Sequence, residues 1–72
     1  MKINSVAHAG EVVEVLAGET AYVLAGGRAV VRKGGEAYVL ASGESVVRKG
    51  GEAIVYPGGR ATGPGSRHIV NR

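Results

Sequence analysis

The stretch Val30–Gly59 reads VVRKGGEAYVLASGESVVRKGGEAIVYPGG and contains the octapeptide VVRKGGEA twice, once from Val30 and again from Val46. From Gly10 onward the chain divides into the octads GEVVEVLA, GETAYVLA, GGRAVVRK, GGEAYVLA, SGESVVRK, GGEAIVYP and GGRATGPG. A fixed internal period is typical of architectures in which each unit packs on its neighbours. Each octad has a Val-rich segment that favours a short strand and glycines that favour a corner.

The phase of the small residues distinguishes two all-β arrangements. Gly-Gly between short strands is a hairpin signal, so an antiparallel β-meander is one of them. In a meander, however, the repeated Ala-x-Val pairs would alternate between the two faces of the sheet. In a parallel β-helix, or β-solenoid, they all face one axis, and we therefore predict this fold. The predicted core consists of Val15, Val23, Val31, Val39, Val47, Val55, Ala21, Ala29, Ala37 and Ala53, and Ser45 occupies the same octad position as the alanines.

Paired glycines mark the predicted corners. At least one residue of Gly34-Gly35 and one of Gly50-Gly51 is expected to need a positive φ, where glycine avoids the Cβ penalty. The full set of predicted corner glycines is Gly26, Gly27, Gly34, Gly35, Gly50, Gly51, Gly58 and Gly59.

The number of chains in each layer follows from size and charge. The chain has 72 residues, no Cys, no Phe and no Trp, so it lacks disulfides and large core residues. Small domains of this kind usually need an additional stabilising element. A coil of two octads would also stack Arg48-Lys49 on Arg32-Lys33, and adjacent like charges are unfavourable. We therefore predict an intertwined homotrimer, in which three chains share each layer and neighbouring layers differ by one octad.

The octads of Gly10–Gly59, with a fixed inner Val, small core residues and a glycine corner, resemble the triple-stranded β-helices of bacteriophage spikes and needles. This resemblance implies a trimeric, non-enzymatic structural protein of a virion. The same residues also resemble the V-x-x-G-G repeats of bacterial autotransporter passengers, which are single-chain β-helices. That second resemblance implies a surface adhesin.

Composition disfavours most other functions. There is no Asp, and His8 and His68 lie apart with no metal-ligand spacing, so we predict no catalytic residue, metal or cofactor. Lys33-Gly34-Gly35 lacks the Gly-Lys-Ser/Thr order of a phosphate-binding loop. A net charge of +3 is typical of a soluble protein, and without an aromatic and basic platform we predict no nucleic-acid partner. No uncharged apolar run approaches the length of a membrane helix, so we predict no membrane partner.

Outward apolar residues form a repeated pair that we interpret either as cross-strand packing or as a docking stripe for another protein. We expect one repeat domain, with an atypical strand at residues 2–9, octads at residues 10–61, and a turn with a short anchoring strand at residues 62–72. The predicted function is a capsid decoration protein, spike or fibre in a phage virion. The alternatives are an adhesin-like β-helix at the cell surface that binds a receptor or glycan, and a self-polymerising solenoid. The candidate docking residues are Tyr22, Leu24, Tyr38, Leu40, Ile54, Tyr56, Ile69 and Val70.

Overall fold

A computed structural model describes residues 4–69 and shows an all-β solenoid of about four turns, with parallel strands. The odd-numbered strands form a five-stranded sheet in the order β1-β3-β5-β7-β9, and the even-numbered strands form a four-stranded sheet in the order β2-β4-β6-β8. The chain therefore visits the two sheets alternately. The strands are β1 (Asn4–Ala7), β2 (Val12–Val15), β3 (Thr20–Val23), β4 (Arg28–Val31), β5 (Glu36–Val39), β6 (Glu44–Val47), β7 (Glu52–Val55), β8 (Arg60–Thr62) and β9 (Ser66–Ile69).

Parallel pairing confirms the β-helix and shows that the antiparallel meander is wrong. Ala21 pairs with Ala37 and Val23 with Val39, so each octad position stacks on its equivalent two octads away. Because side chains alternate along a strand, this register sends the Ala-x-Val pairs of both sheets into the space between them. The buried apolar residues are Ala7, Val15, Ala21, Val23, Ala29, Val31, Ala37, Val39, Val47, Ala53 and Val55, all at most 3 % exposed.

The corner at Gly34-Gly35 is a β-turn in which the two glycines have different tasks, and in the next corner Ser42, with φ of 67°, takes the place of the first glycine. Gly34 has φ of 82°, and Gly35 donates its N–H to the Arg32 carbonyl three residues earlier. A positive φ at the third residue of such a turn is typical of type II geometry and suits glycine. Gly35 has no positive φ, but a Cβ there would lie 2.8 Å from the Val15 carbonyl oxygen in the preceding coil. The first glycine therefore permits the turn, and the second permits the coils to approach each other.

The winding differs from the three-chain arrangement predicted from the sequence. Every ladder joins strands of one chain, and neighbouring layers are two octads apart, not one. Arg32 and Arg48 therefore stack after all. Their side chains are exposed, and solvent screens the repulsion between exposed charges to a fraction of a kcal/mol. That cost is small, so the stacked charges do not prevent a two-octad coil, in which one chain pairs its own backbone groups.

The last coil is shorter than the others. Glu52 pairs with Ser66 and not with His68, where two full octads would end, because Gly63-Pro64-Gly65 replaces a full corner and its flanking residues. Gly63 has φ of 101°, and a Cβ on Gly63 would collide with the Val47 carbonyl oxygen. The break in the octad after Gly59 thus corresponds to a tighter return into the five-stranded sheet.

Candidate docking surface

The outer face of the five-stranded sheet carries an apolar ladder formed by Val6, Tyr22, Tyr38 and Ile54. Their strands pair in register, so the four side chains follow one another from coil to coil. Val6 is 42 % exposed and Tyr22 is 40 % exposed, while Tyr38 and Ile54 are half-buried. The ladder continues at His68, which pairs with Ile54 in the register. The sheet therefore presents a continuous stripe of large apolar side chains to solvent.

Aromatic stacking makes the middle of the apolar ladder rigid. The rings of Tyr22 and Tyr38 are 5.3 Å apart between centroids and inclined by 19°. Ring pairs at this separation contribute about 0.5–1.5 kcal/mol beyond area burial. The carboxylate of Glu36 is the main influence that raises the pKa of the Tyr38 hydroxyl above 10.0, followed by partial desolvation and the neighbouring tyrosines. Tyr38 is therefore neutral at physiological pH and can donate a hydrogen bond to a partner.

Polar residues border the apolar ladder. Glu36 and Glu52 pair in register two positions before Tyr38 and Ile54, on the same face of the sheet. Glu52 also contacts His68, with 3.0 Å between Oε2 and Nε2. The surface thus combines an apolar stripe with a row of carboxylates. A partner that covers it needs apolar residues beside basic ones.

The predicted docking residues do not all lie in this ladder. Tyr22, Tyr38 and Ile54 belong to it, whereas Leu24, Leu40 and Tyr56 form a second column, immediately after the strands of the same sheet. Leu24 and Leu40 are half-buried, and Tyr56 is 37 % exposed. Ile69 pairs with Val55 in the register. Val70 lies outside the described residues.

The corners after the four-stranded sheet have the opposite character. There Arg32 and Lys33 of one coil stack on Arg48 and Lys49 of the next, and we call these four residues the basic ladder. Arg32 forms an ion pair with Glu14, with 2.7 Å between Nη2 and Oε2. The pairs Leu24-Ala25 and Leu40-Ala41, which alternate with Arg-Lys along the sequence, therefore occupy the other side of the coil, whereas Leu16-Ala17 lies one coil before Arg32-Lys33 on the same side. The sequence showed this alternation, but we interpreted it as a sign of three chains.

Two carboxylates accept backbone N–H groups in the first described coil, and the sequence pattern did not reveal this role. Glu11 accepts the backbone N–H of His8 at 3.0 Å, and Glu19 accepts that of Leu16 at 2.9 Å. One coil later, the equivalent N–H groups of Leu24 and Arg32 are donated to carbonyls of the coil beneath. The two glutamates therefore replace missing carbonyls in the first described coil. The available signal was the change from Gly-Gly to Gly-Glu in the first two octads.

Groups suited to catalysis or metal binding do not converge within residues 4–69. In this range no cluster of three His, Cys, Asp or Glu side chains could hold a metal ion. His8 is exposed and follows β1 in the first coil, whereas His68 lies in β9 of the last coil. The Nε2 atom of His68 lies 3.0 Å from the Glu52 carboxylate. The same residues include no helix of the length and apolarity needed to cross a membrane. The chain matches no family model, no curated protein and no solved structure.

Proposed function

We propose that this chain is a non-enzymatic structural protein that docks through its apolar ladder onto a larger protein assembly. The ladder itself is the observation that carries the proposal. Val6 and Tyr22 are about 40 % exposed, and the half-buried Tyr38 and Ile54 follow them on the same face of the sheet. Exposed apolar patches of this continuity typically mark sites of protein association. Stacked tyrosines also supply large contact area with little loss of side-chain freedom.

The size of the molecule favours a partner that binds many copies. The solenoid measures 28 × 22 × 18 Å and has an accessible surface of 4329 Å². A stable interface commonly buries about 800 Å² on each partner. A tight one-to-one complex would therefore take nearly a fifth of the whole surface, which is a large share for a single outer face. Repeated attachment to a particle compensates for a weak single contact, because linked sites act together.

The particle that we propose is a phage virion, in which the chain serves as a decoration, spike or fibre component. The octads with an inner valine and glycine corners support this assignment. The support that came from a triple-stranded winding is lost, since one chain forms each layer. In this proposal a homotrimer consists of three complete solenoids packed side by side.

A cell-surface adhesin is the second candidate, and the single-chain winding favours it. This winding is the arrangement of the autotransporter repeats that the octads resemble. The third candidate, a solenoid that polymerises end to end, is disfavoured by Glu11 and Glu19. Their side chains occupy the corner positions that have to be glycine where another coil packs closely.

Site-specific photo-cross-linking tests the docking face. A photoreactive phenylalanine derivative replaces Tyr38 on the apolar ladder or, as a matched control, Val46 on the outer face of the other sheet. The chain is expressed in cells that carry its gene, and cross-linked proteins are identified by mass spectrometry. We expect adducts with position 38 that are absent with position 46. Equal or absent cross-linking at both positions would contradict the proposal.

The identity of the adduct distinguishes the candidate functions. A capsid or tail protein supports the virion component, whereas an exported receptor supports the adhesin. An adduct with a second copy of the chain supports the side-by-side homo-oligomer. Sedimentation equilibrium then gives the number of copies. For a trimer, the melting temperature should rise with protein concentration, while a monomer should melt independently of it.

A further inference from the structure

The basic ladder lies in an open groove at the corners that follow β4 and β6. The groove has a volume of about 570 Å³, and Glu14, Leu16 and Ala17 form its wall on the side of the first coil. Equivalent residues of adjacent coils are about 4.8 Å apart in such a parallel stack. Four cationic side chains thus lie within two consecutive layers. They are Arg32, Lys33, Arg48 and Lys49.

The same sheet shows how this protein arranges charges that only stabilise the fold. At the start of its strands, Arg28, Glu44 and Arg60 stack in register with alternating sign. Arg28 and Glu44 form an ion pair there, with 3.0 Å between Nη2 and Oε1. Opposite charges across a ladder stabilise pairing, and like charges oppose it. The alternating ladder therefore places opposite charges next to each other, whereas the basic ladder places like charges next to each other.

Charge compensation within the basic ladder is incomplete. Glu14 neutralises Arg32, but among residues 4–69 no carboxylate lies within ion-pair distance of Lys33, Arg48 or Lys49. The aliphatic stem of Lys33 also leans toward the next coil, because a Cβ on Gly50 would lie 2.7 Å from Lys33 Cγ. Three uncompensated cations consequently face the same groove. Like charges arranged in this way attract a multivalent anion.

The lining of the groove indicates the class of anion. Arginine and lysine bind phosphate groups through charge-assisted hydrogen bonds. Proteins that hold single-stranded nucleic acid add aromatic side chains on which the bases stack. The groove has none, since its apolar residues are Leu16 and Ala17, and the stacked tyrosines belong to the other sheet. The groove therefore has groups for phosphate and none for rings.

We propose that the basic ladder binds a linear chain of inorganic phosphates, with successive phosphate groups contacting successive coils. The site is independent of the apolar ladder, which lies on the opposite sheet. Bound phosphate relieves the repulsion between stacked cations, so the ligand should stabilise the fold as well as bind to it. A single phosphate ion spans one layer only and should bind much more weakly.

Calorimetric titration of the full chain with sodium tripolyphosphate tests the proposal, and inorganic phosphate at equal ionic strength serves as the comparison. We expect tripolyphosphate to bind at least about tenfold more tightly than phosphate and to raise the melting temperature. Lys33→Ala/Lys49→Ala should weaken tripolyphosphate binding by about tenfold or more. Arg28→Ala/Arg60→Ala is the matched control, because it also removes two positive charges, but from the alternating ladder. It should change the binding of tripolyphosphate less than about twofold.

Several outcomes would overturn the proposal. Equal affinity for tripolyphosphate and phosphate at matched ionic strength would reduce the effect to screening. An equal loss in both double variants would indicate attraction by net charge alone. Tighter binding of an oligothymidylate or of heparin than of tripolyphosphate, at equal charge, would assign the groove to nucleic acid or to a sulfated polysaccharide instead. Circular dichroism of each variant verifies that the solenoid is intact.

Discussion

The first coil and the inner coils use the same corner in two different ways. In the inner coils the second corner position is glycine, as at Gly27 and Gly35, because carbonyl groups of the coil beneath lie where a Cβ would be. In the first described coil the same position is Glu11 or Glu19, whose carboxylate accepts the N–H that an inner coil pairs with a carbonyl. The comparison shows that these glycines serve the stacking of coils, whereas the turn itself depends on the preceding residue.

A charge introduced into the core should lower the free energy of unfolding more in an inner coil than in the first coil. Val39 is fully buried between neighbouring coils, while Val13 in the first coil is only half-buried. Val39→Asp should lower the free energy of unfolding by about 4 kcal/mol or more, because it buries an unpaired carboxylate. Val13→Asp should cost less than half as much. Urea denaturation followed by circular dichroism measures both, and Tyr38→Asp is the outward-facing control. Equal losses at positions 38 and 39 would reject the inward phase.

Exchange of corner residues between coils tests the comparison directly. Gly35→Glu places in an inner coil the residue that the first coil carries at the same octad position. Its Cβ would lie 2.8 Å from the Val15 carbonyl oxygen and 3.1 Å from the Leu16 carbonyl oxygen. Because backbone atoms cannot move aside, we expect a loss of about 3 kcal/mol in the free energy of unfolding. Glu36→Gln, one residue away on an outward position, is the control. Unchanged stability of Gly35→Glu would mean that the coils are not this closely packed.

Removal of a capping carboxylate should have a smaller effect. Glu19→Ala leaves the Leu16 N–H to solvent, and we expect a loss of about 1 kcal/mol, comparable to the removal of a helix N-cap. Glu19→Gln keeps an acceptor oxygen and should recover at least half of that loss. Amide hydrogen exchange at Leu16, measured by NMR, should accelerate in the alanine variant. Identical exchange in the wild type and the alanine variant would show that the carboxylate does not protect this group.

A change of similar size but opposite sign, a gain in stability, is expected at an imperfect core position. Ser45 occupies the alanine position of its octad and is fully buried, and its hydroxyl has no hydrogen-bond partner. An unsatisfied buried hydroxyl costs about 1 kcal/mol. Ser45→Ala should therefore raise the free energy of unfolding by about this amount, as measured by urea denaturation. Ser5→Ala, in the first strand and only half-buried, should change little. A loss of stability at position 45 would point to a partner for the hydroxyl.

The octad predicted the repeating part of the molecule well, and its failures concern contacts between octads. Val39 and Ala37 could be placed in the core because their spacing determines a common face. The pairing partner of Val39 could not be derived in this way. We used Arg32 and Arg48 to exclude a two-octad coil, yet they stack, because exposed charges repel only weakly through solvent. The recurrence of VVRKGGEA two octads along the chain contained the correct coil length.

For the candidate sites too, the sequence indicated local patterns but not the contacts between coils. Tyr22 and Tyr38 were recognisable as a repeated outward pair, but the stacking of their rings required the two-octad register. Glu11 and Glu19 were not singled out from the sequence. Their capping role depends on which N–H groups have no coil beneath them, and a local pattern does not contain that information.

The sequence by itself determined the positions of the strands, the inward phase and the corners, because alternation along a strand and the positive φ of a turn are local properties. Tertiary structure decided how many octads complete a coil, which charges stack, and which groups remain open in the first coil. These features depend on pairing between residues two octads apart. That pairing is set by the competition between backbone hydrogen bonds within one chain and weak, solvent-screened repulsion between its side chains.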